Sequence, residues 1–140
     1  MRGVSHKNKQ ALKYALYKGK EYIPQTDDNG EVVYDDDGEP LMTGSQRPVY
    51  GKPIKFYASI AFAGGEAEAK AYGVSVGDYD SRIILPKNEI PITETSIIFK
   101  DSNPVFRKNG SVDEKSADYR VFKVQPSLNY TAYLLKRIEK

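Results

Sequence analysis

Alternation of apolar and polar positions is the strongest pattern in this chain, and it is clearest over residues 54–62. Apolar side chains occupy every second position there, and lysine, tyrosine, serine and alanine lie between them. A period of two predicts a half-buried β-strand. The same positions also allow an amphipathic helix, but Pro53 before the run, Gly64-Gly65 after it and the aromatic and β-branched composition favour the strand.

Shorter runs of the same kind recur, separated by turn-forming residues. Residues 12–17 alternate, and the following Lys18-Gly19-Lys20 predicts a turn that pairs them with residues 21–23 in a hairpin. Only residues 66–72 have a helix-forming composition. These patterns predict an all-β fold, a small β-barrel or sandwich of about seven to nine short strands with a long acidic loop. Further strands are predicted at residues 82–85, 95–99, 119–124 and 130–138, and turns at Asn29-Gly30, Asp37-Gly38 and Asn109-Gly110.

Length and composition restrict the function classes. A chain of 140 residues favours a single domain, residues 1–140. No apolar run approaches the ~18–20 residues that a membrane helix needs, and we expect no membrane partner and no signal peptide. There is no cysteine and one histidine, His6, which argues against zinc sites and histidine-based acid–base catalysis. We therefore expect a protein that binds or builds, not an enzyme, with no metal and no cofactor.

Charge is segregated along the first forty residues. Residues 1–20 carry six basic and no acidic side chains, and residues 21–40 carry eight acidic and no basic ones. The acidic block belongs to residues 24–48, which are rich in turn residues. Such blocks are typical of solvated loops, but about 25 residues exceed the ~12–15 of most loops in compact domains, which indicates a functional or disordered segment. We expect an extended loop between strands, or a hairpin that forms when a partner supplies contacts.

The acidic and glycine-rich stretches do not match common catalytic or ligand-binding motifs. Residues 35–39 contain part of a calcium-loop pattern, but Val33 stands where such a loop needs an oxygen ligand. The acidic side chains cluster in turns and are not placed across a cleft, which argues against glycosidase-type hydrolysis. Gly64-Gly65-Glu66 and residues 73–77 lack the Gly-Lys-Ser/Thr ending of a phosphate loop, so we interpret them as turns.

Tyrosine is enriched, with 11 residues, and several stand next to lysine or arginine. Aromatic side chains interleaved with basic ones on one sheet face are typical of OB-like domains that bind single-stranded nucleic acid. The net charge of only +2 and the acidic block weaken this interpretation. Tyrosine is also common in cores and oligomer interfaces. An OB-like nucleic-acid-binding module is therefore an alternative function.

The C-terminal two thirds of the chain carry short motifs in a definite order. A Gly-Glu stretch, an aromatic-Gly turn and a Tyr-Asp step are followed by an x-Pro-Ile-x-Glu step, an Asp-Tyr-x-Val strand and a Ser-Leu-Asn triplet. These are Gly65-Glu66, Tyr72-Gly73, Tyr79-Asp80, residues 90–94, residues 118–121 and Ser127-Leu128-Asn129. With a tyrosine-rich first strand ending in Gly19-Lys20-Glu21, the chain resembles the head–tail connector proteins of long-tailed bacteriophages (siphophages), of the head-closure or stopper type.

The resemblance implies a structural virion protein of the head–tail interface, made in the cytoplasm of the bacterial host. Copies would form a ring of six or twelve between portal or adaptor proteins and tail-completion or tail-tube proteins. A tail-completion protein at the neighbouring position of the connector is a further alternative. Each copy would be a small β-barrel with a long loop that reaches the central channel, through which double-stranded DNA passes.

Under this resemblance the acidic loop is the candidate gate of the channel, and the basic N-terminal segment is the candidate docking site for an adaptor or a neighbouring copy. Carboxylates that line a channel repel DNA phosphates, and ring symmetry multiplies their charge. The predicted gating residues are Asp27, Asp28, Glu31, Asp35, Asp36, Asp37 and Glu39. The predicted docking residues are Arg2, Lys7, Lys9 and Lys13.

Overall fold

The computed structural model describes residues 9–139, which form two compact units. One unit comprises residues 9–17 and 50–139 of the described chain, and the other is Lys18–Val49. We call the second unit the acidic arm, and the excursion predicted at residues 24–48 lies within it. In chain order the strands are β1 (Gln10–Ala15), β2 (Tyr17–Pro24), β3 (Met42–Tyr50), β4 (Ile54–Ala58), β5 (Ile60–Phe62), β6 (Ser81–Pro86), β7 (Ile97–Phe99), β8 (Tyr119–Pro126) and β9 (Tyr130–Arg137).

The first unit is a nearly closed, barrel-like sheet of seven antiparallel strands. Its strands are hydrogen-bonded in the order β4-β1-β7-β8-β9-β6-β5. The two end strands, β4 and β5, follow each other in the chain with only Ser59 between them, so the sheet curls back on itself and few edge groups stay open. In the arm, β2 and β3 form a separate two-stranded sheet.

The core of the barrel follows from the alternation of its strands. Leu12 and Tyr14 of β1 pack with Phe56 of β4 and with inward residues of β6, β8 and β9, because successive side chains point to opposite faces of a strand. Strand β7 is buried on both faces. Ile98 joins the barrel core, whereas Ile97 and Phe99 belong to a second cluster with Val112 and Ala117. The barrel therefore has apolar layers on both sides of β7.

Two sequence predictions about connections are wrong. The single strand predicted at residues 54–62 is broken at Ser59, since β4 pairs with β1 and β5 pairs with β6 at the other end of the sheet. The break lets the chain cross from one sheet edge to the other, which alternation alone cannot reveal. The predicted hairpin turn at residues 18–20 is part of β2, and β1 pairs with β4 and β7 instead of β2.

The other element predictions agree with the structure. The all-β fold class is confirmed, and the predicted helical segment appears as α1 (Glu66–Ala71). Strands β6 to β9 lie at the predicted places, although β7 is shorter than the run at residues 95–99. The three predicted Asn-Gly and Asp-Gly turns are present. Among the described residues, no helix is long and apolar enough to cross a bilayer.

Candidate functional site

The acidic arm is built from two copies of an eight-residue sequence unit, QTDDNGEV at residues 25–32 and VYDDDGEP at residues 33–40. Their first residues, Gln25 and Val33, meet Leu41 in a closed ring of backbone hydrogen bonds. The Gln25 N–H donates to the Leu41 carbonyl at 2.7 Å, the Val33 N–H to the Gln25 carbonyl at 3.0 Å, and the Leu41 N–H to the Val33 carbonyl at 2.9 Å. This three-way junction fixes the base of both eight-residue repeats.

Each eight-residue unit folds into the same tight turn. Asp27 Oδ1 accepts hydrogen bonds from the backbone N–H groups of Asn29 and Glu31, both at 2.9 Å. Asp35 Oδ1 does the same at the corresponding positions of the second turn, also at 2.9 Å. The glycine of each turn has a φ of 79° or 83°, in the left-handed region that glycine adopts without steric cost. The spacing Asp-x-x-Gly-Glu therefore determines the shape of both turns.

All seven predicted gating carboxylates lie on these two turns, and all seven residues are exposed. The arm carries eight acidic and three basic side chains, a net charge of −5. No residue of Lys18–Val49 is buried, and Tyr22 and Tyr34 are 55 % and 60 % exposed. A two-stranded sheet without a core is marginally stable in water. The arm thus has a hydrogen-bonded backbone but leaves its apolar side chains available to a partner.

A basic surface lies on the outer face of strands β1 and β4. Lys13 of β1 stands directly opposite Lys55 of β4, and both line a depression of about 150 Å³ together with Lys100. Lys55 Nζ lies 5.3 Å from the ring centroid of Tyr57, a side chain that is 56 % exposed. We call Lys13, Lys55, Lys100 and Tyr57 the lysine face.

The predicted docking residues are only partly described. Arg2 and Lys7 lie outside the described residues, Lys9 is half-buried before β1, and Lys13 belongs to the lysine face. The predicted docking residues do not include Lys55 and Lys100, which come from other parts of the chain. Lys55 was visible as a polar position in the alternating run, but only strand pairing places it opposite Lys13.

Asp118, a motif residue of the connector resemblance, holds a loop in place. Its Oδ2 accepts hydrogen bonds from the backbone N–H groups of Lys100, Asp101 and Ser102 at 2.7, 2.9 and 3.0 Å. Its Oδ1 accepts the Ser102 hydroxyl at 2.8 Å. Burial acts to raise the pKa of Asp118, but these hydrogen bonds to its charged form outweigh burial and lower the pKa below its ordinary value.

Tyr79, a second motif residue, connects α1 to the barrel. Its hydroxyl donates a short hydrogen bond to Glu68 of α1, and Glu68 also lies 3.3 Å from Arg82 Nε of β6. Burial and the bond to Glu68 raise the pKa of Tyr79 to about 12. The next residue, Asp80, accepts the backbone N–H of Arg137 at 2.7 Å. The motif residues therefore stabilise the scaffold.

The described residues present two charged surfaces, the acidic arm and the lysine face. Residues 9–139 contain no group of three or more His, Asp or Glu side chains that could hold a metal ion. A surface depression of about 640 Å³ has Asp80 and Asp118 in its wall, and both carboxylates already bind backbone N–H groups. The acidic arm and the lysine face suit recognition by charge complementarity.

Comparison with known proteins finds no matching family model, no significantly similar curated sequence and no significantly similar solved structure.

Proposed function

We propose that this chain is a structural virion protein that forms a ring at the head–tail interface of a long-tailed bacteriophage. The ring links portal or adaptor proteins to the tail and helps to retain and release the packaged DNA. The observation that carries the proposal is the acidic arm, which presents exposed carboxylates on a hydrogen-bonded frame without a core of its own. The order of connector-like motifs along the chain adds support.

The charge of the arm suits a channel that DNA must traverse. Double-stranded DNA carries one negative charge per ~1.7 Å of its axis, so a basic lining would hold it and slow its exit. The arm has a net charge of −5, and a ring repeats that charge at every copy. Arms that point into the channel therefore repel phosphates and oppose DNA leakage until ejection drives the DNA through.

Electron microscopy of tailed particles with the chain in place tests the ring. A symmetric collar that contains the barrel between portal and tail is the expected result, and its neighbours distinguish a stopper from a tail-completion protein. Particles in which no symmetric collar contains the chain would contradict the proposal.

The gate is tested by neutralising the carboxylates that do not hold the turns. The triple variant D28N/D36N/D37N keeps Asp27 and Asp35, whose hydrogen bonds shape the turns. With less repulsion at the lumen, we expect packaged DNA to be lost from a larger fraction of particles, or ejected at a different rate. The matched control, E66Q/E89Q/E139Q, removes three exposed carboxylates outside the arm and should behave as wild type. Unchanged retention and ejection in the arm variant would remove the gate role.

A second function, OB-like binding of nucleic acid, is favoured by one observation. Lys55 lies against the exposed ring of Tyr57, and a base stacked on such an aromatic side chain would bring its phosphate to the lysines. Titration of the purified chain with a single-stranded oligonucleotide at several salt concentrations tests this function. Binding that weakens steeply with salt would support it.

A further inference from the structure

The lysine face carries a charge arrangement that the barrel itself does not neutralise. Lys13 and Lys55 are directly opposite in the β1–β4 register, and like charges at directly opposed positions destabilise a sheet. Within residues 9–139, neither lysine forms an ion pair. In the described part of the chain, Lys100 forms one ion pair, with the exposed Asp101 at 3.7 Å. An anionic partner placed over this face would remove the repulsion.

The acidic arm offers the complementary surface. Its second turn carries four carboxylates over residues 35–39, and the first turn carries three. The exposed Tyr34 precedes the second turn and can pack beside Tyr57, whose ring is also exposed. The arm has a net charge of −5, whereas the remainder of the chain, with 18 basic and 11 acidic side chains, has a net charge of +7. Each copy of this chain therefore carries a negative charge on its arm and a positive charge on the rest of the chain, so the arm of one copy can attract the barrel of another.

We infer that the lysine face binds the second turn of the acidic arm of a neighbouring copy of this chain. The contact joins two different surfaces, and head-to-tail contacts of this kind close into rings when the rotation between copies allows it. The inference rests on the proposed function, because a ring sets each arm beside the next barrel. Lys13 and Lys55 neutralise two charges, so each arm keeps excess negative charge on its first turn for the channel.

Charge-swapped variants of the full chain test the contact by sedimentation equilibrium. K13E/K55E reverses the lysine face, and D36K/D37K reverses the second turn while keeping Asp35, which shapes it. In low salt, at about 50 mM, where screening is weak, each variant alone should associate about tenfold more weakly than wild type, or worse. The equimolar mixture of the two should recover wild-type association, because each reversed surface then meets an oppositely charged one.

The control variant is D28K/N29K, which changes the corresponding positions of the first turn and should associate like wild type. Circular dichroism checks that each variant is folded. Should a variant unfold, the salt dependence of wild-type association replaces it, and association that does not weaken as salt is raised would overturn the inference.

Three further outcomes would overturn it. One is a wild-type chain that stays monomeric at millimolar concentration. Another is association that recovers in a chain carrying both K13E/K55E and D36K/D37K but never in the mixture of the two variants. That result would place the contact within one copy. The third is oligonucleotide binding that K13E/K55E abolishes while association is unchanged, which would assign the face to nucleic acid. A collar built from copies without charge-dependent association overturns this inference alone, whereas association without a collar overturns the proposed function.

Discussion

At the scale of single residues, the motifs that suggest a phage connector have structural roles in the barrel. Asp118 gathers three backbone N–H groups of one loop, and Tyr79 ties α1 to β6 through Glu68. These short motifs mark places where a buried or half-buried polar group needs a specific partner. Such groups are costly to leave unpaired. The residues that carry the proposed function are instead exposed and make few contacts.

Asp118 should be the most sensitive of these residues. Asp118→Ala leaves three backbone N–H groups without their acceptor, and we expect a loss of about 3 kcal/mol in the free energy of unfolding. Asp118→Asn should cost less, since its amide oxygen still accepts hydrogen bonds. Urea denaturation at neutral pH measures both. The neighbouring Asp101→Asn is the control and should be close to wild type; equal stability of all three variants would contradict the assigned role.

The pH dependence of stability provides an independent test of Asp118. Its pKa in the folded state lies below the ordinary value of 3.8, so the unfolded chain binds the proton more tightly. Asp118 therefore stabilises the fold above that ordinary value, and the contribution is lost as pH falls through the lower, folded-state pKa. Between about pH 4 and pH 2, Asp118→Asn should lose less stability than wild type does. Parallel curves for the two proteins would show that Asp118 is not the group responsible.

At the scale of elements, the sequence predicts most strands but not their partners. Short apolar runs between turn residues predict β6, β8 and β9. Burial alternates along β6 and the first half of β8, whereas β9 is buried on both faces from Thr131 to Leu135. Alternation misses the break at Ser59, since β4 and β5 continue one alternating run while pairing at opposite ends of the sheet. Lys13 and Lys55 meet for the same reason, through pairing between positions far apart in sequence. In the arm, Asn29-Gly30 and Asp37-Gly38 predict the turns, whereas the three-way junction depends on contacts between the repeats.

The junction predicts that the arm can lose one whole repeat. Deletion of residues 33–40 frees the Gln25 carbonyl and the Leu41 N–H, while the bond from the Gln25 N–H to the Leu41 carbonyl is already in place. The two freed groups can pair, which converts the three-way junction into an ordinary hairpin pair. We expect amide exchange at Gln25 and Leu41 to be no faster than in the wild-type chain and the free energy of unfolding to change by less than about 1 kcal/mol.

A deletion out of step with the repeat is the control for this experiment. Removal of residues 34–37 destroys one turn without bringing equivalent residues together, so exchange at Gln25 and Leu41 should become fast. Equal protection in both deletions would mean that the junction is not what orders the arm.

At the scale of the whole molecule, stability and proposed function reside in different units. Every buried residue of the described chain belongs to residues 9–17 or 50–139, and the arm holds the exposed carboxylates. Under the proposed function, this division would let one unit supply the scaffold while the other meets DNA and a neighbouring copy. Because the arm has no core, a change of its partner should cost the barrel little stability.

Removal of the arm tests this division directly. The chain leaves and re-enters the barrel at adjacent points, since the Gly51 N–H donates to the Leu16 carbonyl at 2.8 Å and the rings of Tyr17 and Tyr50 lie 6.0 Å apart. Replacing residues 18–49 by two glycines should therefore keep the barrel folded, with a free energy of unfolding within about 2 kcal/mol of wild type. The shortened chain should unfold cooperatively, lose association between copies and fail to retain DNA in particles. A shortened chain that aggregates or melts without cooperativity would mean that the arm contributes to the barrel core.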